Sequence, residues 1–170
     1  MAIREVVKIP EPVLRRKAHK VNQVDSEIRK LIEDMVETMR EEPGVGLAAP
    51  QIGISSRIIV VEYVEDEDDE NAKPRLFTVI NPEIIRASDE TEMGIEACLS
   101  VPNLVGDVER YSEIVVKGLN KQGKPTKIKV GGWLARIFQH EIDHLDGILF
   151  TDRAERVWQP QESDGELNAA

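Results

Sequence analysis

The stretch His140-Glu141-Ile142-Asp143-His144 constrains this chain more than any other, because it sets two of the three histidines four residues apart with a glutamate beside the first. On an α-helix, positions four apart differ in direction by roughly 40° and lie one turn apart, so both imidazoles can reach one ion. Trp133, Leu134, Ile137, Phe138, Ile142 and Leu145 recur at helical spacing between Gly131-Gly132 and Gly147. That pattern predicts a helix from about Gly132, with Gly147 as its C-terminal stop. On the helical wheel His140, Glu141 and His144 fall inside the apolar arc, while Arg136, Gln139, Asp143 and Asp146 fall on the opposite, outer side. Polar groups aimed at a core cost free energy unless each is hydrogen-bonded or ligated, and a metal ion supplies the reason for three.

A catalytic metal site commonly takes three protein ligands and leaves a position for water or substrate. The metzincin form of the motif would place the third six residues after His144, where this chain has Phe150, so that subclass is excluded. Glu162 and Glu166 lie in a polar stretch with no helical pattern, and His19 sits among Arg15, Arg16, Lys17 and Lys20, a solvated setting. The single cysteine, Cys98, sits in a mixed stretch interrupted by Pro102 and can present its sulfur from a strand end. A lone cysteine is most often an inert buried hydrophobe. With two ligands placed and one wanted, Cys98 becomes the favoured third.

Gly44-Val45-Gly46-Leu47-Ala48-Ala49-Pro50-Gln51, Glu96-Ala97-Cys98-Leu99-Ser100 and His140-Glu141-Ile142-Asp143-His144 together resemble the three signature motifs of the peptide deformylases, in order and at fitting separations. The resemblance implies that Cys98, His140 and His144 bind one divalent metal, with Fe(II) native and Zn(II) or Ni(II) able to substitute. It makes Glu141 the general acid/base, Gln51 and the Leu99 N–H the oxyanion hole, and the Gly46 backbone a peptide-binding group. The implied reaction removes the formyl group from N-formylmethionyl nascent peptides and releases formate. In the middle motif the family usually has glycine where this chain has Ala97; an added methyl there is expected to narrow the pocket or restrict the backbone. Some bacterial members dock on the ribosome through a basic C-terminal helix. The tail here is not basic, which leaves at most transient ribosome association. A zinc endopeptidase, which shares the histidine-glutamate helix, and a homologue that binds metal but has lost catalysis are the other readings.

A net charge of −10 argues against direct nucleic-acid binding, which calls for clustered Lys and Arg. With 170 residues, 41% of them apolar, one domain is expected. One cysteine fits a reducing compartment, and no apolar run reaches membrane-spanning length. A bacterial-type cytoplasmic protein, or the mature form of an organellar one, is expected, with no membrane association.

Along the chain, Pro10 and Pro12 predict an extended lead-in. A helix capped by Asp25 or Ser26 follows, with Ile28, Leu31, Ile32, Met35, Val36 and Met39 inside and Glu33, Asp34, Glu37 and Arg40 outside, ending at Pro43-Gly44. Residues 44–53 read as a loop, 58–64 as a strand, and the acidic run 65–71 as a solvated connection. Residues 75–80 read as a strand closed by Asn81-Pro82, with weaker strands at 83–87 and 105–108. Residues 113–119 and 126–130 flank an Asn120-Lys121-Gln122-Gly123 hairpin turn. With the resemblance, these elements predict an α+β fold of mostly antiparallel strands packed around a central metal-binding helix, with an N-terminal amphipathic helix. Residues 1–152 form one catalytic domain, and 153–170 a polar C-terminal tail that frays.

Overall fold

The computed structural model describes residues 2–64 and 68–160. Helix α1 (Ser26–Glu41) begins where the Asp25 carboxylate accepts the Ile28 N–H at 3.0 Å. Strands β1 (Gly46–Ala48), β2 (Ile58–Tyr63), β3 (Arg75–Ala87), β6 (Glu113–Leu119) and β7 (Pro125–Gly131) form an antiparallel sheet in the order β1-β2-β3-β6-β7. A second antiparallel sheet runs β4 (Thr91–Cys98), β5 (Val101–Tyr111) and β8 (Arg156–Trp158). Helix α2 (Gly132–Leu145) and the single turn α3 (Phe150–Arg153) complete an α+β fold. Among the described residues no helix is long and apolar enough to cross a membrane.

Strand β2 shows how the layers stack. Ile59 and Val61 pack with Phe138, Ile142 and Leu145 of α2, whereas Ile58 and Val60 pack with Met35 and Met39 of α1. Alternate side chains of a strand leave on opposite faces, so a strand covered on both sides carries an unbroken apolar run. The methionines of α1 are therefore core.

Several expectations need correction. Asp34 is buried rather than outside, because the N-terminal segment lies over it: Ala2 N–H and the Arg4 guanidinium both donate to its carboxylate. The lead-in contains a 3-10 turn at Pro12–Arg15. Residues 44–53 are not a plain loop but strand β1 followed by a 3-10 turn, Ala49–Ile52. Asn81-Pro82 does not close a strand; β3 passes through it with a register shift, and Asn81 takes a φ of 55° there. Of strand β4 the sequence points only to its end at Cys98, because Met93 and Ile95 face solvent and blur the alternation of the rest. The chain after Asp152 does not fray at once: Val157 and Trp158 pair with Gly106 and Val105. Residues 161–170, and 65–67 of the acidic run, lie outside the described residues.

The wheel misplaced three of the four polar residues it set on the outer side of α2; Asp146 alone stays partly exposed. Arg136, Gln139 and Asp143 are buried, because the second sheet covers the side expected to face water. Each has a partner there: Arg136 donates to the Val108 and Glu92 carbonyls, Gln139 exchanges hydrogen bonds with the Tyr111 main chain, and Asp143 accepts from Arg110 as well as from Arg153 of α3. At the helix C-terminus, Arg57 and the Ala18 N–H donate to the Leu145 carbonyl, and Gly147 takes the φ of +73° that stops the helix.

Candidate metal centre

Helix α2 carries His140, Glu141 and His144 into the space between the two sheets, all at most 2% exposed. Cys98 is the last residue of β4 and brings its sulfur to the same place, 3.3 Å from His144 Nε2. Ligand atoms from Cys98, His140 and His144 lie within 4.8 Å of one another, close enough to share an ion. His19 is exposed and stands outside this cluster.

The hydrogen-bond pattern fits a metal. Glu96 Oε1 lies 2.9 Å from His140 Nδ1, while His140 Nε2, buried, has no hydrogen-bond partner among the described residues. A histidine held through one ring nitrogen presents the other as a ligand. Both carboxylate oxygens of Glu141 are likewise buried without a partner, and burial pushes its carboxyl up to about 7. A soft thiolate with two imidazoles suits Zn(II), Fe(II) or Ni(II) rather than a hard cation.

Gln51 reaches the centre from the 3-10 turn after β1. Its Oε1 accepts the Ala48 N–H at 3.0 Å, which orients Nε2 toward Ser100 Oγ at 3.2 Å and Cys98 Sγ at 3.6 Å. The N-terminal segment braces both neighbours: Val7 N–H donates to the Gln51 carbonyl and Ile9 N–H to the Ser100 carbonyl. Leu99 follows Cys98 in the tight turn between β4 and β5. Gly46 lies on β1, the outer strand of its sheet, and a Cβ there would stand 2.5 Å from Glu141 Oε2. Ala97 has no positive φ, so its methyl does not strain the backbone; with Val45, Trp133 and Ile137 it lines a small cleft beside His140.

Glu96, Arg110 and Asp143 were missed from sequence. Arg110 grips Glu96 with two nitrogens and reaches Asp143 with a third contact at 2.6 Å. One signal was available: Glu96 and Cys98 are two apart in a strand and therefore share a face.

A family profile described as polypeptide deformylase matches residues 3–159. The chain belongs to the polypeptide deformylase family. Curated deformylases include one from Symbiobacterium thermophilum, 51% identical over 98% of this chain and 73% of its own length, and one from Natranaerobius thermophilus, 50% identical over 96% and 99%. Among solved structures, the peptide deformylase of Thermotoga maritima superposes with a TM-score of 0.82 at 41% identity, covering 92% of this chain and all of that one. The deformylase of Ehrlichia chaffeensis in complex with actinonin superposes with a TM-score of 0.85 at 38% identity, over 92% and 91%. Deformylases are metal-dependent hydrolases, and the Cys98/His140/His144 cluster could hold the metal.

Proposed function

We infer that the chain removes the N-formyl group from the N-terminal formylmethionine of new polypeptides and releases formate, using the buried cluster on α2 and β4. The observation that carries the reading is the convergence of three ligand atoms within 4.8 Å, with the unpartnered Glu141 carboxylate beside them. Cys98, His140 and His144 would hold a divalent ion, which would lower the pKa of a water and polarise a carbonyl. Fe(II) is the proposed native metal, with Zn(II) or Ni(II) able to replace it.

Glu141 takes the proton of the attacking water and returns it to the leaving amine. Its two oxygens, buried beside the ligand cluster with no hydrogen-bond partner among the described residues, are free to accept that proton and hand it on. Gln51 Nε2 and the Leu99 N–H donate to the formyl oxygen as it gains charge. Support for Gln51 comes from its amide, whose oxygen is already occupied by Ala48 and whose nitrogen therefore faces the centre. The substrate main chain pairs with the outer edge of β1 at Gly46, by strand addition. Trp133, Ile137 and Ala97 border the methionine side chain.

The test compares formate release from a formyl-methionyl tripeptide with cleavage of the same peptide carrying an acetyl group and of an unformylated internal peptide. Formate from the first, with little cleavage of the other two, is expected; preferred cleavage of the internal peptide bond would favour an endopeptidase.

A further inference from the structure

One arginine on the histidine helix ties that helix to the strand bearing Cys98, and no step of the reaction above uses it. Arg136, one turn before His140, is 5% exposed. Its Nη1 donates to Glu96 Oε2 and to the Val108 carbonyl, each at 2.7 Å, and its Nη2 donates to the Glu92 carbonyl at 2.7 Å. A single planar group thus holds the main chain of β4, the main chain of β5 and the carboxylate whose other oxygen meets His140. The seat is cut to fit: a Cβ on Gly94 would stand 2.7 Å from Arg136 Cζ, so β4 carries no side chain where the guanidinium presses on it.

Cys98 ends the strand that Arg136 grips, while His140 and His144 follow Arg136 on one helix. The spacing of the thiolate from the two imidazoles is therefore a spacing between β4 and α2. Arg110 also joins Glu96 to α2, through bonds to the side chains of Glu96 and Asp143. Arg136 adds the two carbonyl bonds that fix the strands themselves.

We propose that Arg136 is a positioning residue of the metal centre: seated over Gly94, it sets β4 against α2 so that Cys98 stands within ligating reach of His140 and His144. This rests on the metal-site reading above. Lysine, a point charge without the planar fork, cannot make the three contacts together.

The test measures binding of Zn(II) and Co(II) to the full chain by competition with a chromophoric chelator, together with the thiolate-to-cobalt absorption band. The wild type is compared with Cys98→Ser, Arg136→Lys, Arg136→Met and Gly94→Ala, with thermal unfolding of each metal-stripped protein as the check on folding. The wild type is expected to bind one ion with a thiolate band that Cys98→Ser abolishes. Folded Arg136 and Gly94 variants are expected to bind about 10–100-fold more weakly, with a weakened or shifted band. Gly94→Ala keeps every polar group and decides the matter should Arg136→Met not fold. Wild-type affinity and band in any folded one of these three overturns the proposal. So does failure of all three to fold, since Arg136 would then hold the fold rather than the site. Absence of a thiolate band in the wild type overturns the metal reading instead.

Discussion

Glu96 and His140 meet at 2.9 Å, Oε1 to Nδ1, with both side chains buried and the glutamate on a different sheet layer from the helix. The same carboxylate accepts from Arg110 and Arg136. Burial acts to raise its pKa, but Arg110 and His140 outweigh that and hold the carboxyl far below the usual carboxylate range.

Removing that charge leaves two guanidinium groups short of a partner. Glu96→Gln is expected to lower the unfolding free energy by about 3 kcal/mol at pH 7, as for other broken buried pairs. Because the folded pKa is depressed, the stabilisation is present above the unfolded value of about 4.3 and is lost as pH falls below it. Urea unfolding from pH 7 to 3 should show the gap between wild type and variant closing toward acid; a constant gap would contradict the assignment.

For Glu141 the sign is opposite. Burial raises its carboxyl to about 7, so the folded state holds the proton between the unfolded pKa and that value. In metal-stripped protein this contribution is full below about pH 4.3 and is lost as pH rises through about 7. Metal-stripped Glu141→Gln should therefore match the wild type near pH 4 and exceed it at pH 8 by about 3 kcal/mol. Thermal melts across that range check it, and equal stability at both ends would contradict it.

Gly46 has no room for a methyl, since a Cβ would meet Glu141 Oε2 at 2.5 Å. Gly46→Ala should lower kcat by about 10²-fold through displacement of the acid/base, a cost typical of misplacing a reacting group by an ångström. Metal content should stay at the wild-type level. A change confined to KM would assign Gly46 to binding alone.

Gln51→Leu removes the amide that faces Cys98 and Ser100 while keeping a side chain of similar reach. A drop of about 10²–10³ in kcat with little change in KM is expected of an oxyanion donor. A rise in KM at unchanged kcat would remove Gln51 from that role.

What was legible in the sequence is what local chemistry decides. The 3.6-residue pattern and Asp25 cap mark α1, the same period and Gly147 mark α2, and Asn120-Lys121-Gln122-Gly123 marks a hairpin in which Asn120 Oδ1 accepts the N–H groups of Gln122 and Lys124. The His140 and His144 pair was legible because motif spacing carries its chemistry, whereas Cys98 joined it by elimination of other ligands and by the family resemblance. The burial of Arg136, Gln139 and Asp143 was not, since nothing within α2 announces that a second sheet will cover its polar side. Strand β4 before Cys98 escaped for a related reason: exposed Met93 and Ile95 are apolar, so its in-out alternation is not written in polarity. Partners far apart in sequence, such as Glu96 with Arg136, become visible only when strands and helix are assembled.

The most direct measurement is formate release from a formyl-methionyl tripeptide by protein purified without oxygen and supplied with Fe(II), beside Glu141→Ala with its metal content determined in parallel. The wild type is expected to turn over, and Glu141→Ala to fall by at least about 10² at equal metal content. Undiminished turnover in the variant would contradict the acid/base assignment. No turnover from folded, metal-loaded wild type would contradict the deformylase activity itself.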